Sequence, residues 1–222
     1  MHKVIKFINT SSYPDLLQPV PASQVVPGWY KDMDSYFHEE KDKPTIKKCM
    51  PVFDSITAGY LILLPQDINV KIINGVQTFE SKDFDLILSH SIEQARSHPY
   101  ANGQDYPKLK NYWSIQTPPG YSIEVVNPNH RESVFTILPG IVDTDNYIFP
   151  INFPMVVNDL KFEGVIPKGT PIAQIIPFKR DEWTMEVATK EEFANSINDK
   201  IEKYNKLFKN YKKSYRSIKK YR

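Results

Sequence analysis

Cysteine, glycine and long apolar runs are all scarce in this sequence, and each shortage removes a class of protein. A single cysteine, Cys49, excludes an internal disulfide and a cysteine-rich zinc site. As a lone thiol it reads as a small core residue, expected to be buried. Eight glycines stand against eighteen prolines. Prolines in that number cap short strands and occupy turns, which favours a β-rich fold over a helical bundle. The longest apolar run, "GYLILLP" at 59–65, is far too short to cross a bilayer. The first residues, "MHKVIKFINTSSYP", contain no long apolar stretch, so no secretion signal is expected. A phosphate loop, a dinucleotide fingerprint and a nucleophile elbow are all missing. The expectation is an intracellular protein with no membrane partner.

What is present is a core's worth of apolar residues with an uneven distribution of charge. Hydrophobic residues make up 41% of the 222, which suits one domain with an appendage. Net charge is +2. From Lys203 onward there are nine Lys/Arg and no Asp/Glu. The tail's +9 against the chain's +2 leaves −7 for residues 1–202, an acidic body with a basic tail.

The pattern divides the chain in three. Residues 1–48 open with an alternating stretch, "KVIKFIN", and continue as a proline-rich arm. Its Leu16, Leu17, Val25, Val26, Trp29, Tyr30, Met33 and Phe37 suit packing on a surface, with a short helix expected within 27–37. Residues 49–183 read as short strands punctuated by Gly and Pro, the pattern of a compact barrel or sandwich. Ile62, Leu64, Val70, Ile72, Val125, Ile137, Val156, Ile172 and Ile175 are its expected inward positions. The stretch "SHSIEQARSHPYANGQDYPKLKN" is a polar interruption, expected as a long loop. Within it, His90, Glu93 and His98 have neither zinc-hydrolase nor facial-triad spacing and read as solvated loop residues. Residues 184–222 read as a basic amphipathic helix. "TKEE" is its capping signature, and Phe193, Ile197, Ile201, Tyr204, Phe208, Tyr211, Tyr215 and Ile218 form one apolar face that needs burial. Lys209, Lys212, Lys213, Arg216, Lys219 and Lys220 occupy the rest, a charge pattern that fits phosphates of nucleic acid or an acidic partner.

Five stretches together resemble a known family. "TAGYLILLPQDINV" (57–70), "TPPGYSIEVVNPNHRES" (117–133), "GIVDTDNY" (140–147), "MVVN" (155–158) and "FEGVIPKGTPIAQII" (162–176) follow the order and approximate spacing of dUTPase and dCTP deaminase motifs. The resemblance covers residues 57–179, roughly half the chain. It implies a mainly β fold, a compact β-clip or distorted barrel. With the helix and arm added, the expected architecture is that domain carrying a long C-terminal α-helix and an irregular N-terminal arm. It also implies a homo-oligomer, a trimer on the family pattern. "PGWYKDM" and "IKKCMPVFDSITAGY" are similar to stretches of tailed-phage proteins, which implies a place in host cytoplasm or virion.

By the resemblance, Asp143 corresponds to the carboxylate that activates water. Tyr60, Arg131, Ser133, Asp145, Tyr147 and Gln174 fall in the ligand-binding motifs. The departures are equally specific. Leu61 stands where the family has aspartate, and Asn127–Ser133 is out of register with the phosphate-binding "PRS". Asn146 intrudes before Tyr147, no glutamate serves as a deaminase proton shuttle, and the glycine-rich closing arm is missing. The reading is a non-catalytic binding or structural module without a cofactor. A nucleotide hydrolase or sensor around Asp143 is the alternative, and only the hydrolase calls for Mg2+. Apart from the resemblance, "DTDN" also reads as a turn in which Asp and Asn side chains bond the backbone.

Overall fold

The computed structural model describes residues 3–40, 42–82, 86–94, 96–101, 103, 105–194, 196–197 and 201. Two compact units divide the chain, Met1–Lys179 and Arg180–Arg222.

The first unit is mainly β. In chain order its strands are β1 (Lys6–Asn9), β2 (Val20–Pro21), β3 (Tyr60–Leu63), β4 (Ile68–Ile73), β5 (Val76–Ser81), β6 (Ile87–His90) and β7 (Tyr106–Leu109). They continue with β8 (Trp113–Gln116), β9 (Tyr121–Val126), β10 (Phe135–Ile137), β11 (Gly140–Val142), β12 (Phe153–Val157), β13 (Gly164–Ile166) and β14 (Pro171–Lys179). All pairings among them are antiparallel. The sheets run β11-β9-β14-β3-β2, β10-β12-β7-β6, β13-β4-β5 and β1-β8.

Local chemistry accounts for the turns. Asn74 and Gly75 both take positive φ (52° and 78°) between β4 and β5, the conformation a two-residue hairpin of this twist requires. Gly169, at φ 87°, is the turn glycine expected in "PKGTP", and its N–H reaches the carbonyl of Leu64 at 2.8 Å. Gly59 is more constrained. It has φ 65°, and a Cβ there would lie 2.0 Å from the carbonyl oxygen of Ile175. Only glycine lets β3 begin that close to β14.

Inward residues of the sheets converge on one core, with Leu64, Ile68, Leu109, Ile115, Ile123 and Ile175 fully buried. Phe135 and Phe153 are buried with them, each contributing roughly 1.5–3 kcal/mol by removal from water. Eight of the nine expected inward residues are buried. Ile72 is half-buried instead, because it stands one step from the β4–β5 turn, where the sheet runs out of cover.

Three other expectations change. Met50–Thr57 is a helix (α2), not the start of the strand pattern, and is the one helix of seven or more residues among the described residues. Pro51 sits in its first turn, where a missing N–H costs nothing, and Asp54, Ile56 and Thr57 are its buried positions. Cys49, just ahead of it, is exposed, since the chain enters the helix from the surface. The polar interruption, 89–111, is not one long loop, since it contains β7, which pairs with β6 from Ile87↔Leu109 to His90↔Tyr106. Its stretch between them includes one 3-10 turn, Ile92–Gln94. The short helix expected in the arm is Gly28–Asp32 (α1).

In the second unit, residues 190–194, 196–197 and 201 are helical. The capping signature is realised. Glu192 N–H donates to Thr189 Oγ1 (3.2 Å), and Glu192 Oε2 accepts from Thr189 N–H (2.6 Å). The Thr189 N–H, together with the Thr189 hydroxyl, which also donates to Oε2 (3.0 Å), holds the Glu192 carboxyl below its ordinary pKa. Of the apolar face that was expected to be covered, Phe193 is 63% and Ile201 48% exposed, with Ile197 half-buried. Tyr204, Phe208, Tyr211, Tyr215 and Ile218 lie outside the described residues. Among the described residues no helix is long and apolar enough to cross a membrane.

Candidate functional site

Strand β9 organises the candidate residues, because they gather around its two ends. At the first end, β11 pairs with β9 from Gly140↔Val125 to Val142↔Ile123. Asp143 follows directly and meets the next β9 residue, Ser122. The buried Ser122 hydroxyl donates to Asp143 Oδ1 at 2.6 Å. Residues 143–147 then turn, with the N–H groups of Asn146 and Tyr147 both donating to the carbonyl of Asp143 (3.0 and 2.8 Å). The turn is clasped to the one before β9. Asp145 Oδ2 accepts the N–H of Gly120 (2.8 Å), the hydroxyls of Thr117 and Thr144 bond at 2.8 Å, and Thr117 N–H donates to the Thr144 carbonyl (3.2 Å). This is the backbone-bonding turn that Asp and Asn favour. Asp143 itself is exposed. Tyr147, 44% exposed, meets Phe149 edge-on at 5.8 Å.

At the other end, Gln174 is the organising group. It lies at the middle of β14, opposite Val126 and Leu61, and is fully buried. Its Nε2 donates to the carbonyls of Ser55 (2.9 Å) and Ala58 (2.7 Å), while its Oε1 accepts the N–H of Asn129 (2.8 Å). Asn129 Nδ2 also reaches the Ser55 carbonyl, at 3.3 Å. One amide thus binds the end of α2 to the loop after β9. Tyr60, beside it at the start of β3, is half-buried and edge-on to Phe7 at 5.2 Å.

The loop after β9 holds Arg131 and Ser133. Ser133 Oγ accepts the N–H of Phe135 (3.2 Å) and its carbonyl accepts from Asn158 Nδ2 (2.9 Å). Arg131 donates from its guanidinium to the carbonyl of Val25 in the N-terminal arm. Burial pulls the Arg131 guanidinium below its ordinary pKa. The neighbouring His130 carbonyl accepts the indole N–H of Trp29 at 2.8 Å. The packing surface of the arm, anticipated from its apolar residues, therefore includes this loop. That Ser122 holds Asp143 was not anticipated, and the only trace of it in the sequence is a serine among apolar inward positions of β9.

The structure thus groups Asp143, Asp145 and Tyr147 at one end of β9 and Tyr60, Gln174 and Arg131 at the other. Ser122 and Val126 are four residues apart, about 13 Å along a strand. Two clefts of about 430 and 320 Å3 take in neither Asp143 nor Arg131. Phe153, like them near "DTDN" in sequence, fills the core instead. Among the described residues no group of three or more His, Cys, Asp or Glu could hold a metal ion. His90 is the last residue of β6 rather than a loop residue, and the side chains of His90, Glu93 and His98 contact near neighbours, Gln94, Arg96 and Tyr100 respectively. Lys209, Lys212, Lys213, Arg216, Lys219 and Lys220 lie outside the described residues.

No family model and no curated protein matches the chain. Solved structures similar to it are dUTPases. Native EIAV dUTPase shows 17% identity over 60% of this chain and 84% of its own, at a TM-score of 0.35. A point mutant of the dUTPase from phage phi11 of S. aureus shows 16% identity over 57% and 97%, at 0.29. A mutant dUTPase of Staphylococcus bacteriophage 80alpha with dUpNHpp shows 16% over 57% and 89%, at 0.28. The chain is structurally similar to phage and retroviral dUTPases at low identity.

Proposed function

We propose that this is a phage protein of dUTPase-like, β-clip architecture that acts as a non-catalytic binding or structural module. The observation that carries the reading is the separation along β9. The carboxylate that would activate water stands beyond one end, and the guanidinium that would hold phosphate lies beyond the other, engaged by a carbonyl of its own chain. Transition-state stabilisation needs donors aimed at one developing charge, and removing a single such donor costs on the order of a hundredfold or more in rate. Here Leu61 replaces a family aspartate as a fully buried core residue, so the first motif has been turned to packing. Domain boundaries near 48 and 183, a trimeric or other homo-oligomeric assembly, and a location in host cytoplasm or virion belong to the same proposal. So does a role for the basic tail in contacting nucleic acid or an acidic partner.

One observation favours the second reading, a nucleotide hydrolase or sensor. Asp143 is exposed on a rigid turn, so its carboxylate is offered outward. Only the hydrolase form of that reading would need Mg2+. The deciding experiment is incubation with dUTP and the other deoxynucleoside triphosphates plus Mg2+, reading pyrophosphate release and thermal shift together. We expect no release. Steady release abolished by Asp143→Asn establishes the hydrolase. A stabilisation without release establishes the sensor.

A further inference from the structure

The segment Val25–Trp29 and the loop after β9 are joined by contacts that leave the loop incomplete. Arg131 gives one guanidinium nitrogen to a neutral acceptor, the Val25 carbonyl, and makes no ion pair among the described residues. Its Nε is buried and has no hydrogen-bond partner among them. A half-buried cation ordinarily takes an anion, because a charge removed from water needs an opposite charge or a full set of acceptors. His130, next to it, holds φ at 55°, a left-handed conformation rare for a residue with a side chain. The His130 carbonyl is the acceptor for Trp29. An unfilled donor, a neutral stand-in for an anion and a strained backbone therefore coincide where the arm touches the loop.

The arm itself is firmly fixed on either side of this contact and thinly attached at it. Before it, β2 pairs with β3 and the fully buried Ala22 donates its N–H to the Gly59 carbonyl at 3.0 Å. After it, Tyr30 is buried, stacks on Phe53 at 5.5 Å and donates its hydroxyl hydrogen to the Lys47 carbonyl at 2.9 Å. Between these anchors Val25 and Trp29 are more than a third exposed. That segment can lift without unpairing a strand.

We infer that residues 23–29 are a displaceable strap, and that a phosphate-type anion binding the Arg131 guanidinium lifts it. The inference rests on the proposed reading of the Arg131 loop as a ligand-binding element and adds a control to it, because the arm's carbonyl and the anion compete for one cation. It does not depend on whether Asp143 has any chemistry.

The test uses full-length protein, inorganic pyrophosphate as the probe, and hydrogen exchange read at residues 23–33. Inorganic sulfate is the control for charge alone. Wild type should bind pyrophosphate in the millimolar range and lose amide protection at Val25, Lys31 and Met33, whose N–H groups bond the carbonyls of Ala22, Pro27 and Trp29. Trp29→Phe keeps the ring and removes the N–H that grips His130, so it should bind about fivefold more tightly. Arg131→Gln should abolish the response. Binding with the strap's protection unchanged overturns the strap, as does equal affinity in Trp29→Phe. Equal responses to sulfate and pyrophosphate reduce the effect to ionic strength and overturn the anion's identity. No binding to either wild type or Trp29→Phe overturns both the strap and the loop's ligand-binding role. Pyrophosphate release from nucleotides fails separately and leaves this result standing.

Discussion

The two ends of β9 are closed in different ways. At the Asp143 end, every bond described joins residues no more than 27 positions apart, two adjacent turns clasping one another through Asp145–Gly120, Thr144–Thr117 and Asp143–Ser122. At the Gln174 end the bonds of Gln174, Asn129, Arg131 and Trp29 join residues 45 to 119 positions apart, and the groups come from α2, β14, the loop after β9 and the N-terminal arm. A locally closed end is rigid wherever its hairpin forms. A remotely closed end exists only when the whole unit has assembled, so it should be both the more fragile end and the one open to control.

Four measurements sharpen or break that contrast, beginning with the largest effect. Gly59→Ala sets a Cβ against the Ile175 carbonyl at a positive φ, so it should cost about 4 kcal/mol or more. Urea denaturation should find the variant largely unfolded. A folded variant with near-native midpoint would mean that β3 can move away from β14 freely. Gln174→Leu comes next. It strands the Ala58 carbonyl and the Asn129 N–H in the interior and leaves the Ser55 carbonyl only its bond from Asn129 Nδ2, at about 3 kcal/mol, and should loosen the arm as well as the loop. Ser122→Ala should cost only about 1–1.5 kcal/mol, because the exposed Asp143 carboxylate regains water. If Ser122→Ala proves as damaging as Gln174→Leu, the contrast between the ends is wrong.

The smallest effect is a control in the second unit. Thr189→Ala removes the capping hydroxyl, worth about 1 kcal/mol of local helix stability, and should leave the midpoint of Met1–Lys179 unchanged. The same cap predicts a pH dependence. A carboxyl whose folded pKa is depressed contributes stability above its unfolded pKa and loses it as pH falls through the depressed value. Chemical shifts of residues 190–194 should therefore stay helical through the ordinary glutamate range and change only below it.

The same contrast governs what could be read from the sequence. The "DTDN" turn, the turn glycine at 169 and the capping pair Thr189–Glu192 were legible because their chemistry is complete within a few residues. So were most inward positions, through their period-two alternation. The helix Met50–Thr57 was not, since a single proline-bearing eight-residue stretch beside a run of strands carries little periodicity of its own. Exposure of Cys49 followed from that helix. Arg131 and Gln174 were legible as polar residues within motifs, but their partners were not. Val25, Ser55 and Ala58 contribute backbone carbonyls, which have no residue-type signature at all. The candidate site was therefore readable as a set of residues and unreadable as two separate places.

The position of β14 has a consequence for the order in which the unit can form. It is the central strand of the five-stranded sheet, flanked by β9 on one side and β3 on the other. It is also the last strand of its unit to leave the ribosome. Strand β3 waits more than a hundred residues for β14, and β1 waits about as long for β8. At about 5–20 residues per second of synthesis, the nascent chain spends on the order of ten seconds with these edges unpaired. Distant pairing of this kind makes folding slow as well as late. During that interval the proline-rich arm is the segment least able to pair wrongly, since proline offers no N–H to a stray edge.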